Sequence, residues 1–331
     1  MMPEYPWRVK QRQADEHLRR FAEDCAEYVR VANVGFRFDR DPTAGTIRVT
    51  LQADAEPPLS LGAIIGDVLH NLRSALDSVA WATCEQAGPL TSKQQSRIYC
   101  PITTDPAKWD EEAEGKLPKV DPAHQEVFRR LQPWFWDEEA RALGVPVVPS
   151  ADKHPLARLH RLANIDRHRV PHPVLARAGD TWLSGPEGVA VTLTPAQVRR
   201  AKPGDVVLEW RIDPPSAVSE FHPSGEAVLA LSDEAAQHRR SALHELQAMQ
   251  QEVIRATRRV EIDVLEVVKP AELDELDRLR EASDTAAQAL RALEDAPHVI
   301  DAAYMERYGR AVEADLAART AYLDRWRELF D

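Results

Sequence analysis

The stretch GDVLHNLRSALDSVAW, Gly66 to Trp81, decides how this chain is to be read. Around it Ile65, Val68, Leu69, Leu72, Ala75, Leu76 and Val79 recur at intervals of three and four, the broad apolar stripe of a helix from about Leu61 to Glu85. Ser60 is the expected N-cap, and Gly88-Pro89 supplies the stop. So apolar a helix belongs at the centre of a core. Packing needs only the stripe, yet the flanks carry Asn71, Arg73, Asp77 and Ser78. Residues four apart share a helical face, so Arg73 lies beside Asp77 and Ser74 beside Ser78. Asparagine is a poor helix former and costly to bury alone, so these side chains are expected to meet partners.

Upstream, Val9, Leu18, Phe21, Cys25, Tyr28 and Val29 predict an amphipathic helix over about Trp7 to Arg30. The period then changes to two. Phe36 and Phe38, the turn DPTAG, and Ile47, Val49 and Leu51 predict a β-hairpin over 35–52. Downstream of YCPITTDPAKW the sequence reads as an acidic, Lys-containing loop, then a short helix near Pro122 to Leu131 and the aromatic cluster LQPWFW. A further helix runs from about His154 to Arg167 and cannot pass Pro171 and Pro173. Alternation in GVAVTLT, DVVLEWRI and EAVLAL predicts a small antiparallel β region over 181–231, one that the hairpin can join. Leu243, Leu246, Gln250, Val253, Thr257, Val260, Val264 and Val267 mark the seam of a long helix, weakened by Gln and Thr. After Pro270, helices over about 271–294 and 300–330 form an antiparallel pair.

Length and composition bound the function. The 331 residues, 44% of them hydrophobic, suffice for one large domain or two average ones. A net charge of -12 argues against bulk nucleic-acid binding, which draws on Lys and Arg. RNA therefore enters only as a local partner. Three separated cysteines, Cys25, Cys84 and Cys100, form neither a disulfide framework nor a thiolate metal knot, and suit a reducing cytoplasm. No apolar run approaches the roughly 18 residues of a membrane span, so cytoplasmic localisation without membrane contact is expected.

A second polar constellation lies in HPLARLHRLANIDRHRVPH, His154 to His172. Leu156, Leu159, Leu162 and Ala163 form its buried stripe, leaving His160, Arg161, Asn164, Asp166, His168 and Arg169 for the sides and end. His168 and Arg169 fall near the helix C-terminus, where the macrodipole favours cations. His168 and His172 have the spacing of paired metal ligands, but Pro171 breaks the helix between them and no third ligand is marked. No metal and no cofactor is therefore expected. Phosphate-binding glycine loops, nucleophile elbows and zinc-protease motifs are absent from the sequence. Trp109, Trp134 and Trp136 read as packing rather than as stacking platforms for bases.

LHNLRSALDSVAWA, CPIT, LQPW and LARLHRLANIDRHR, in that order, resemble a family of uncharacterised bacterial proteins carrying N-L-R-S-A-L-D-H-L-A-W and N-I-D-K-H-R, over residues 7 to 268. The first motif also resembles, more loosely, the R-x4-6-H signature of HEPN domains, helical bundles that include metal-independent ribonucleases of toxin and defence systems. That likeness implies Arg73 steadying phosphate charge and a histidine moving protons. Here Ser78 stands where the histidine belongs, so either His168 replaces it or the site is inactive, and the second is preferred.

The expected fold is α+β and predominantly helical: a core domain over 1–268, in which a bundle packs with a small antiparallel sheet, and a C-terminal helical extension over 269–331. Arg73, His168 and Arg169 are the candidate catalytic residues. Asn71, Asp77, Ser78, Arg161, Asn164 and Asp166 are expected to join them in one polar network between two helices. Two functions follow: a HEPN-like, weakly active or inactive RNA-directed toxin or defence component, or a non-enzymatic protein assembling into a homodimer or with a protein partner through its C-terminal helices.

Overall fold

The computed structural model describes residues 5–135, 150–166, 173–177, 182–195, 202–225, 227–231 and 241–267, with scattered positions between 275 and 321. The chain divides into two compact units, Met1–Thr257 and Arg258–Asp331. The fold is α+β and mostly helical.

Helix α1 spans Pro6–Val31, with proline in the first turn, where its missing N–H costs nothing. Its buried residues Trp7, Ala14, Phe21 and Tyr28 fall seven apart, joined by Leu18, which keeps one face on the core. That face packs along α2, Leu59–Gln86. Every residue of the expected α2 stripe is buried. The start of α2 differs from expectation. Pro58 occupies the N-cap position without a side-chain cap, and Ser60 lies inside the helix because the φ fixed by Pro58 leads directly into the first turn.

The hairpin forms as β1, Gly35–Asp41, and β2, Thr46–Gln52. Gly45 closes the DPTAG turn at φ +67°, and a Cβ there would lie 2.8 Å from the Ile212 carbonyl oxygen. A short helix, α3, spans Ser92–Gln95. The acidic stretch expected as a loop is instead helix α4, Trp109–Lys116. Trp109 and Ala113, four apart, bury one side of it, Asp110, Glu111 and Glu112 suit its N-terminus, and Lys116 suits its end. Helix α5 spans Pro122–Arg130 behind an Asp121 cap, and α6 spans Pro155–Asp166 with Leu156, Leu159, Leu162 and Ala163 buried.

Strands β3, Pro173–Arg177, and β4, Trp182–Ser184, precede β5, Ala190–Pro195, and β6, Val206–Asp213. Strands β7, His222–Ser224, and β8, Ala227–Leu231, follow. The hairpin does join the later strands: one antiparallel sheet runs β1-β2-β6-β5, beside the pairs β3-β8 and β4-β7. Ile47 lies opposite Trp210 and Val49 opposite Leu208, all four buried.

Helix α7 spans Ala242–Asp263 and ends short of the expected Val267. In the first unit its buried line is Ala242, Leu246, Met249, Val253 and Ala256, so Leu243 and Gln250 are displaced to its margin. The two polar seam residues have partners on α1. Gln11 donates to Thr257 Oγ1 at 2.6 Å, and Gln250 donates to Asp15 at 3.0 Å. In the second unit Val260 and Val264 are buried. The expected C-terminal pair lies almost wholly outside the described residues. No helix among the described residues is long and apolar enough to cross a membrane.

Candidate functional site

Arg73 is buried near the middle of α2. A buried guanidinium requires acceptors on several sides, because it carries five donors and a charge that does not titrate away. It has them. Nη2 donates to the Cys100 carbonyl at 2.7 Å and contacts Asp77 Oδ1 at 3.0 Å, and Nε donates to Asp77 Oδ2 at 3.3 Å. Asp77 in turn accepts the Cys100 N–H at 2.9 Å. One ion pair thus satisfies both backbone groups of Cys100, as a neighbouring strand would.

Nη1 of Arg73 lies 3.5 Å from His160 Nδ1 on α6. Arginine can only donate, so Nδ1 faces it as the acceptor, while Nε2 lies 3.2 Å from Asn164 Nδ2. Helix α2 thus meets the second motif at His160, a residue not among the partners expected for Arg73.

The loop so held has a second fastener. Gln132, from LQPW, is buried, accepts from the Thr103 N–H at 2.9 Å and donates to the carbonyls of Pro101 at 3.0 Å and Phe128 at 2.9 Å. All four motif segments of the sequence meet at residues 100–103: Arg73 and Asp77 on one side, Gln132 on the other, His160 and Asn164 behind the arginine. Lys116 borders the cluster, paired with Glu112 and lying 4.6 Å from the centre of the Tyr99 ring. Burial, and then the Arg73 charge, pull its pKa below the ordinary lysine value. Burial pushes the Cys100 thiol up to about 12, so it stays protonated and unreactive.

Two expected members, Asn71 and Ser78, bond elsewhere. Asn71 turns to α1: its Oδ1 accepts from Lys10 at 3.3 Å and its Nδ2 donates to the Asp67 carbonyl at 2.9 Å. Its bonds thus go to α1 and to its own helix, not to Asn164. Ser78 donates back to the Ser74 carbonyl at 2.8 Å, a bond within its own helix. Arg161 is half-buried on α6, and Asp166 is the last residue of that helix. His168, Arg169 and His172 lie outside the described residues, as does Trp136. Trp109 and Trp134 are buried, so neither offers a face for stacking.

A second junction escaped the sequence reading. Arg158 on α6 makes a bidentate pair with Glu245 on α7, at 2.5 and 2.6 Å. His154, also buried, accepts the Leu156 N–H on Nδ1 at 3.2 Å and approaches Glu252 with Nε2 at 3.6 Å. The signal existed in Glu245, an acidic residue inside an apolar helical period, but its partner is 87 residues away. Among the described residues, no group of three His, Cys, Asp or Glu side chains is placed to hold a metal ion.

The arrangement can hold a loop and lock three helices together, and it leaves the Arg73 guanidinium surrounded by protein acceptors. Comparison with known proteins gives no further guide: no family model, no curated protein and no solved structure matches the chain.

Proposed function

We propose that this chain is a non-enzymatic assembly protein, whose motif residues are internal fasteners and whose C-terminal helices recruit a second copy or a protein partner. One observation carries the reading: Arg73, the only candidate phosphate-binding residue within the described part of the site, is 7% exposed and bonded to Asp77 and the Cys100 carbonyl. Binding phosphate would require it to abandon a half-buried carboxylate and a buried carbonyl. An active site keeps its cationic group accessible, whereas a structural network is closed and mutually hydrogen-bonded. The three free thiols suit a reducing compartment.

The test uses purified full-length chain. Incubated with RNA and a chelator, it should leave the RNA intact, while removal of residues 270–331 should lower the mass of the particle in solution. Metal-independent cleavage, or a mass falling only by the deleted residues, would overturn the reading.

The HEPN-like ribonuclease reading has one observation in its favour, the His160 imidazole beside Arg73. Under it, His160→Ala and His168→Ala would each abolish a measurable cleavage without unfolding the protein.

A further inference from the structure

The two edges of the four-stranded sheet are built in opposite ways. On one, β1 carries Arg37, Asp39, Arg40 and Asp41 among its seven residues. Charges so placed guard an open edge against a foreign strand. On the other, β5 reads AVTLTP and carries no charge. Its sole sheet neighbour among the described residues is β6.

Register gives β5 a second peculiarity. Val191 lies opposite Ile212 and Leu193 opposite Trp210, so both belong to the apolar row that β6 buries. Ile212 and Trp210 are 1% and 5% exposed, whereas Val191 and Leu193 are 42% and 51% exposed. The buried layer runs off the sheet edge into solvent, beside a backbone with no outer partner strand among the described residues.

We propose that β5 docks on β5 of a second copy of this chain, joining two sheets edge to edge about a two-fold axis. The strand is complementary to itself. Antiparallel pairing centred on Thr192 sets Val191 against Leu193 twice on the apolar face and Thr192 against Thr192 on the other. Charge narrows the occupant. An acidic or basic partner segment would find no counter-charge on β5, whereas two uncharged β5 strands add no local repulsion to that of the net charge of -12. Pro195 of each copy, without an N–H to offer, limits the seam at both ends. So short a seam buries less than the ~1,000 Å² of a stable interface, which makes the association reversible and dependent on concentration.

The experiment measures the mass of the full-length chain by sedimentation from low to high micromolar concentration, beside the variant Val191→Lys/Leu193→Lys. At high concentration the variant should have half the wild-type mass, with an unchanged circular dichroism spectrum. Equal masses would overturn the proposal, whether both are monomers or both assemble through another surface. A variant that fails to fold is replaced by Thr192→Cys in a Cys25→Ser background, which should form a covalent dimer on mild oxidation. Absence of that cross-link at concentrations where the wild type is assembled would also overturn it.

Discussion

Two arginines, Arg73 buried on α2 and Arg158 half-buried on α6, are each paired with a carboxylate, yet they do different work. Arg158 meets Glu245 side chain to side chain, and the two bonds between them engage no backbone group. Arg73 and Asp77 divide the N–H and carbonyl of Cys100 between them. A side-chain pair can be exchanged for apolar groups on both sides, but a backbone cannot give up its polarity. The Arg73 pair is therefore a substitute for secondary structure, placed where the 98–103 loop enters the core without a strand to pair with.

The comparison breaks most visibly in Arg73→Ala. That change leaves Asp77 and the Cys100 carbonyl without their charged donor and should cost about 3–5 kcal/mol in urea unfolding. Replacing both partners sharpens it. Arg158→Met/Glu245→Leu should be within about 1 kcal/mol of wild type or more stable. Arg73→Met/Asp77→Leu should remain destabilised by about 2–4 kcal/mol, because two buried backbone groups stay orphaned. Equal costs for the two double variants would remove the distinction. Gln132→Met tests the other fastener of the loop and should cost about 1–3 kcal/mol, since the Thr103 N–H loses its acceptor.

The smallest effect belongs to an exposed counterpart, the Asp121 cap of α5. The His124 N–H, foremost among its partners, holds this carboxyl below the usual carboxylate range. A lowered native pKa means that the unfolded chain takes up the proton first as pH falls. The stabilisation is thus complete above about pH 4 and is lost as pH falls through the lower native value. Asp121→Ala should lower the urea midpoint slightly at neutral pH, and the gap should close in acid. A gap independent of pH would mean that the charge plays no part.

The main helices and the hairpin were legible in the sequence because their apolar residues keep a period. Helix α4 was not. Only Trp109 and Ala113 mark its buried side, and its acidic first turn reads equally well as a solvated loop. The site was legible in part. Arg73 and Asp77 stood out as charges flanking an apolar stripe, and their convergence with the LHRLAN segment followed from the need to satisfy them. That the shared partner is a loop backbone was invisible, since a carbonyl and an N–H occur at every residue and leave no letter in the sequence. Gln132 was hidden for the same reason: each of its three partners is a backbone group.

The central pairing of the sheet joins β2 to β6, strands more than a hundred residues apart in the chain. Translation at about 5–20 residues per second therefore delivers the hairpin many seconds before the strand that covers it. Throughout that interval Thr46–Gln52, with Ile47, Val49 and Leu51, is an open sheet margin on a nascent chain. The order of synthesis thus leaves that margin uncovered until the later strand arrives, and an uncovered strand edge invites pairing with another unfinished hairpin.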